Sequence, residues 1–260
     1  MCRMLAFVTS YGVPEGTFED FRRLSHTGKV TPNSPPGHTS GWGVFSTDFV
    51  GSALHYRSAR DAWDDPSFVK VVEVAEEPGP RSVLAHLRKA SIGKPRPENS
   101  HPFVVDGRAF MHNGSIRGLR SAFRASRRPE GGTDSERFFL LLLDEMGRRP
   151  VPEAIRSTVT SLERLDYSSL TFVLQDGRSL YAYRQCRKLE GYYTLYYAQN
   201  KGSVIFSSEP LGSLRWRAMG NGELVHASLA DGRARLVGKT TIRPRPDESV
   251  IHLAEPRSPA

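Results

Sequence analysis

Apolar and polar positions alternate along this chain in short blocks, and the blocks predict its elements. Residues 2–9, C-R-M-L-A-F-V-T, read as a strand at the N-terminus. Pro14 to Leu24 sets Phe18, Phe21 and Leu24 three apart, the spacing of a short helix. Thr31 to Gly43, T-P-N-S-P-P-G-H-T-S-G-W-G, reads as a loop. Val44 to Tyr56 predicts one or two strands, Pro66 to Glu77 a helix, and Ser82 to Leu87 a short apolar strand. Lys89 to Pro102 contains three prolines and reads as irregular. Asp106-Gly107 between apolar runs predicts a hairpin over Phe103 to Met111. Ser115 to Ser126 reads as an amphipathic helix, with Leu119, Ala122 and Phe123 on one side and Arg117, Arg120, Arg124 and Arg127 as a basic stripe. Thr133 to Met146 predicts the clearest helix, opened by a Thr133/Glu136 capping box. Pro152 to Arg164 is a further helix.

From Ser168 onward the pattern becomes six short strand-like runs: S-L-T-F-V-L, S-L-Y-A-Y, Y-T-L-Y-Y-A, S-V-I-F-S-S, E-L-V-H-A and A-R-L-V. Turn residues such as Asp176-Gly177 and Asp231-Gly232 separate them. Strands, helices, a hairpin and then a run of antiparallel strands do not make the regular alternation of a parallel sheet. They predict an α+β layered domain rich in antiparallel sheet. The expected organisation is one domain over 1–240 and a Pro/Arg-rich tail over 241–260.

At 260 residues the chain is long enough to bury a substantial core. The longest wholly apolar run, Phe138 to Leu143, is far below the ~18 residues of a membrane span, and no signal-peptide pattern opens the chain. Two cysteines, Cys2 and Cys186, make neither a disulfide scaffold nor a four-thiolate zinc site. A cytoplasmic location is the expectation. The net charge is +8, and 29 of the 36 basic residues are arginine. Arginine forks suit carboxylate and phosphate, but these arginines are spread rather than blocked, as on a solvated surface.

Several residues carry candidate chemistry. Removal of Met1 would give Cys2 a free α-amine, so that nucleophile and base share one residue. Cys2 equally fits a small apolar residue of an edge strand. Asn113-Gly114 ends a strand, and an Asn amide beside a Gly N–H offers two donors to one oxyanion. Arg88 sits where a strand runs out into a loop; it suits a substrate carboxylate or a salt bridge. Asp134 opens the capped helix; it suits the helix dipole or a substrate ammonium. Arg88 and Asp134 together match the two charges of an amino-acid head group. His38, His86, His101 and His112 lack the spacing of any familiar metal motif, so no metal site is expected.

Taken in order, M-C-R at 1–3, G-H-T-S-G-W-G at 37–43, L-A-H-L-R-K-A-S at 84–91, N-S-H-P-F at 99–103, M-H-N-G-S at 111–115 and G-T-D-S-E at 132–136 resemble the class II glutamine amidotransferases of the N-terminal nucleophile hydrolase superfamily. Within it the chain is similar to the stand-alone amidotransferase-like and γ-glutamyl hydrolase branch. F-S-S-E-P-L at 206–211 is consistent with the remainder of that domain. The resemblance implies a four-layer αββα sandwich with largely antiparallel sheets. It implies that Cys2 attacks a γ-glutamyl amide, that Asn113 and Gly114 hold the oxyanion, and that Arg88 and Asp134 bind the substrate α-carboxylate and α-amino group. A thioester forms, ammonia or an amine leaves, and water releases glutamate, with no cofactor. Where larger synthases carry Trp-Ala-Thr-His after the arginine, this chain has Lys89-Ala90-Ser91-Ile92; Ser91 stands in for the threonine hydroxyl as a substrate-binding group. With that departure the expected substrate is glutamine or a larger γ-glutamyl compound. The alternatives are a glutaminase subunit that passes ammonia to a separate synthase, docked through the basic stripe, and a non-catalytic basic protein for acidic partners or nucleic acid. The last is disfavoured because no nucleic-acid motif is present.

Overall fold

The structure of the protein is a computed structural model that describes residues 2–242. The tail expected from 241 lies outside these residues beyond Ile242. In chain order the elements are β1 (Arg3–Thr9), α1 (Thr17–Thr27), β2 (Trp42–Asp48), β3 (Ala53–Ser58), α2 (Ser67–Ala75), β4 (Arg81–Leu87), β5 (Phe103–Val105), β6 (Arg108–Asn113), α3 (Leu119–Ala122), α4 (Asp134–Met146) and α5 (Val151–Leu162). The strand-rich half follows with β7 (Thr171–Asp176), β8 (Ser179–Arg184), β9 (Tyr196–Asn200), β10 (Ser203–Ser207), β11 (Arg217–Ala218), β12 (Glu223–Ala230) and β13 (Arg233–Thr241).

The strands form a seven-stranded sheet in the order β11-β9-β10-β1-β4-β2-β3 and a six-stranded sheet in the order β13-β12-β8-β7-β6-β5. Neighbouring strands pair antiparallel throughout. Side chains on a strand alternate between its two faces. In β1 the set Met4, Ala6 and Val8 joins Leu84 of β4 and Met111 and Val173 of the other sheet in one core between the sheets. The alternate set, Leu5 and Phe7, packs on Phe18 and Phe21 of α1 and Phe68 and Val72 of α2. On the far side, Phe110 and Phe172 of the second sheet meet Phe138 and Phe139 of α4 and Ile155 of α5. Helices, sheet, sheet and helices therefore stack as four layers, the αββα sandwich that the motif resemblance implies.

Most elements fall where the patterning places them, and the differences have local causes. Helix α1 starts at Thr17 because Gly16 is left-handed (φ 79°) and sets the entry to the helix. The long helix read over Ser115 to Ser126 is only Leu119–Ala122. Ile116 bridges to Tyr167, the Arg117 N–H bonds the Asp166 carbonyl, and Gly118 is left-handed, so the backbone before Leu119 is held out of helical geometry. The basic residues around it are therefore not a stripe along one helix. The capping box forms by half: Thr133 Oγ1 accepts the Glu136 N–H, whereas the Glu136 carboxylate bonds the N–H groups of Glu130 and Gly131. Strand β11 has two exposed residues and therefore no apolar pattern to read.

Phe138 is fully buried, edge-on to Phe110 at 5.3 Å and to Phe172 at 5.5 Å. Phe138→Ala should destabilise the fold by about 3–5 kcal/mol through the cavity it leaves. Urea unfolding checks this as a lower midpoint at unchanged slope. A loss under ~1 kcal/mol would mean that the helix layer collapses onto the gap.

Candidate active site

Strand alternation decides which side chains meet at one end of the inter-sheet layer. Extending the β1 pattern back one step puts Cys2 on the side of Met4, Ala6 and Val8, between the sheets. In β4 the same side carries Leu84 and, by alternation, His86 and Arg88. In β6 it carries Ala109, Met111 and, by alternation, Asn113. Arg3 pairs with Leu87 in register, so the next antiparallel step sets Cys2 beside Arg88. The opposite sheet supplies Asn113. Two strands from one sheet and one from the other thus bring three of the expected residues to a single point.

The Cys2 backbone nitrogen donates to Asn113 Oδ1 at 3.0 Å. That contact turns the amide so that Nδ2 faces away from the nitrogen; Nδ2 is buried and has no protein partner. The Cys2 thiol lies 3.8 Å from the Lys89 carbonyl oxygen. Gly114 is glycine for a steric reason, since a Cβ there would sit 2.0 Å from the Ser169 carbonyl oxygen and 2.7 Å from His112 Nε2. Its backbone can therefore pack against the Ser169 carbonyl as no other residue's can.

Arg88 is only 3% exposed, and its guanidinium bonds four backbone carbonyls: Ile92 at 2.9 Å, Gly93 at 3.0 Å, Lys94 at 3.3 Å and Ser40 at 3.4 Å. Among the described residues no carboxylate forms an ion pair with it. Burial lowers its pKa from the usual value, while its nearness to Cys2 and Asp134 acts against that drop. Asp134, also buried, accepts the Ile116 N–H through Oδ2 at 2.6 Å. Ser91 lies exposed on the rim, with its hydroxyl 3.0 Å from that of Ser115. Lys89 donates from Nζ to the Pro35 and Gly37 carbonyls at 2.5 and 2.8 Å, tying the two rim loops together.

All six expected site residues therefore gather at one end of the sandwich. Others there escaped the sequence reading. Asn99 Nδ2 donates to the Lys94 carbonyl, and Asn99 Oδ1 accepts the Gly132 N–H, so one amide joins the Arg88 loop to the segment leading into Asp134. Arg3, with no exposed surface, donates to the Cys2 carbonyl from Nη1 (2.8 Å) and to Glu209 from Nε (2.5 Å), and lies over the Tyr192 ring. A charged residue second in an apolar strand was the available signal, because a buried guanidinium demands acceptors. Burial raises the Tyr193 pKa to about 12, with the Cys2 and Asp134 charges adding to it and a hydrogen bond to Ser168 opposing it.

Residues 1–195 match the family model of the class-II glutamine amidotransferases. The Escherichia coli protein YafJ is 33% identical over 176 residues, covering 62% of this chain and 66% of that protein. The γ-glutamyl-hercynylcysteine sulfoxide hydrolase of Mycolicibacterium smegmatis is 36% identical over 80 residues, 30% of this chain and 34% of that one. These matches span less than two thirds of each relative's own length. A class-II glutamine aminotransferase domain protein from Silicibacter pomeroyi superposes with a TM-score of 0.63 at 21% identity, covering 94% of this chain and 100% of that one; at that identity the likeness concerns the fold. The chain belongs to the class-II glutamine amidotransferases, a family of enzymes. Among the described residues no helix is long and apolar enough to cross a membrane.

The histidines serve the scaffold beneath this site. No group of three or more His, Cys, Asp or Glu among the described residues is placed to hold a metal. His86 and His101 stack at 4.1 Å between ring centroids, and none of their four ring nitrogens has a hydrogen-bond partner. His112, on the helix side of β6, joins Ser135 Oγ and the Ser169 carbonyl. Burial, with the Arg88 charge adding to it, brings the His86 pKa down to about 3. Burial also lowers His101 and His112. An unfolded chain takes up protons at these histidines below pH ~6.5, and the folded protein takes them up only at lower pH. Stability is therefore complete above pH ~6.5 and falls as the pH drops towards 3, by at most about 1.4 kcal/mol per pH unit for each histidine. Thermal melting from pH 7.5 to 5.5, above most carboxylate titration, reads this; a flat melting temperature would show the histidines protonated in the native state.

Proposed function

We propose that this chain hydrolyses a γ-glutamyl amide through a thioester on Cys2, with residues 1–240 acting as one amidotransferase-type domain. The observation that carries the reading is a buried guanidinium, Arg88, that bonds only carbonyls among the described residues and lies next in register to Cys2, whose nitrogen is held by an Asn113 amide with a buried, unpartnered Nδ2. A buried charge of that kind favours an anionic ligand. In this reading Arg88 grips the substrate α-carboxylate, Asp134 takes the α-ammonium, and Ser91 borders the head group.

With Met1 removed, the Cys2 nitrogen becomes an α-amine already anchored by Asn113 Oδ1. It accepts the thiol proton, directly or through water. The sulfur forms a bond to the γ-carbonyl carbon, and the oxygen takes the electron pair as an oxyanion. Asn113 Nδ2 and the Gly114 N–H donate to that oxygen. As the carbonyl re-forms, the carbon–nitrogen bond breaks and the Cys2 ammonium returns its proton to the leaving amine. Water then attacks the thioester by the same route, and glutamate leaves with the thiol restored.

The exposed rim at Ser91 and Ile92 favours a leaving group larger than ammonia, in keeping with the M. smegmatis relative's name. Ammonia delivery to a separate synthase is the variant of this reading that a small leaving group would favour.

Cys2→Ala should abolish glutamate release from γ-glutamyl amides and also the single adduct formed by a diazo-ketone analogue of glutamine, while the circular dichroism spectrum stays native. Retained turnover would remove Cys2 from the mechanism. Asn113→Ala should lower kcat by ~10²–10³-fold, with KM changing much less, because the amide acts on charge that develops in the transition state. Steady-state kinetics on the same substrates decide it; an unchanged kcat would assign the oxyanion to other donors.

A further inference from the structure

A second concave site lies at the other end of β1. The eight residue steps from Cys2 to Ser10, at ~3.3 Å each, put it about 26 Å from Cys2. It is a groove of about 470 Å³ lined by Ser10, Tyr11, Lys201, Gly202, Arg233, Ala234 and Arg235. That volume falls among those of small-ligand pockets, roughly 300–1,000 Å³. Its floor is fixed by backbone: the Ser10 N–H bonds the Gly202 carbonyl at 2.7 Å, and Ser10 Oγ accepts the Ala234 N–H at 2.9 Å. Three chain segments, the end of β1, the β9–β10 turn and the start of β13, are thereby held together.

The walls are cationic. Arg233 and Arg235 project from the same face of β13, and Lys201 stands on the turn opposite. Among the described residues none of these three side chains has an ion pair or a hydrogen bond. Among the described residues no carboxylate lines the groove. Tyr11 is 76% exposed, yet its ring lies against Gly202, where a Cβ would come within 2.9 Å of it. An aromatic face is thus offered to solvent beside three uncompensated charges.

We propose that this groove binds a small phosphorylated ligand that carries a flat ring, with the phosphates against Arg233, Arg235 and Lys201 and the ring on Tyr11. Guanidinium forks match phosphate oxygens in pairs, and lysine adds a point charge. A tyrosine face accepts a planar ring by stacking. The site is separate from the thiol, so its ligand is not the γ-glutamyl substrate.

The test is calorimetric titration of the full chain at near-physiological salt, with ATP and inorganic tripolyphosphate as probes. ATP should bind, and the pair Arg233→Ala and Arg235→Ala should weaken it about tenfold or more. The control pair Arg120→Ala and Arg124→Ala, on another exposed surface, should leave it nearly unchanged. Tyr11→Ala should weaken ATP and leave tripolyphosphate as it was. All of these side chains are exposed, and melting temperatures equal to wild type establish that the variants fold. No detectable ATP binding at millimolar concentration overturns the proposal, as does equal loss from both arginine pairs. An equal effect of Tyr11→Ala on both probes, or a preference for single-stranded DNA over ATP, overturns the ligand class.

Discussion

Burial of β1 on both of its faces is the constraint on which the rest of this structure depends. A strand covered on one side has one set of side chains to satisfy; this one has two. Met4, Ala6 and Val8 must match the opposite sheet while Leu5 and Phe7 match the helices. A slip of one residue would exchange the two sets and carry Cys2 away from the inter-sheet side. The pairing of β1 with both β4 and β10 fixes that register over five to seven residues on each side. The position of the thiol is thus a consequence of packing along a whole strand, while the chemical groups around it are contributed by strand ends.

The rim above the thiol is built differently. It has almost no regular structure, and charge does the ordering that hydrogen-bond ladders do elsewhere. Arg88 gathers the carbonyls of residues 92–94, Lys89 gathers those of 35 and 37, and Asn99 joins that loop to the segment before α4. On the other flank Arg3 and Glu209 perform the same service, with Glu209 also accepting the Lys29 N–H. Buried polar groups that are fully partnered rigidify their surroundings. The Asn113 amide and the stacked histidines are among the buried groups that depart from that rule.

How much of this was legible in the sequence follows from the range of each interaction. Alternation and turn signals are local, so the strands, the Asp106-Gly107 hairpin and the Thr133 cap could be read directly. The helix over Ser115 to Ser126 misled because its apolar spacing is real, while the bridge to Tyr167 and the bond to Asp166, some fifty residues away, override it. The six candidate site residues were legible as an ordered set of motifs, none of them decisive alone. Arg3, Asn99 and Glu209 were present inside those same motifs. Their work is done on backbone groups distant in sequence, and spacing carries no trace of such partners.

The loop at 89–94 divides two kinds of freedom. Its backbone is committed inward, since the carbonyls that face Arg88 are held regardless of which side chains the loop carries. Its side chains at Ser91 and Ile92 are exposed and unconstrained by that arrangement. Substitutions there can change the outer face of the loop while the carbonyl contacts to the buried guanidinium stay intact, so side-chain variation at this rim is decoupled from the backbone beneath it.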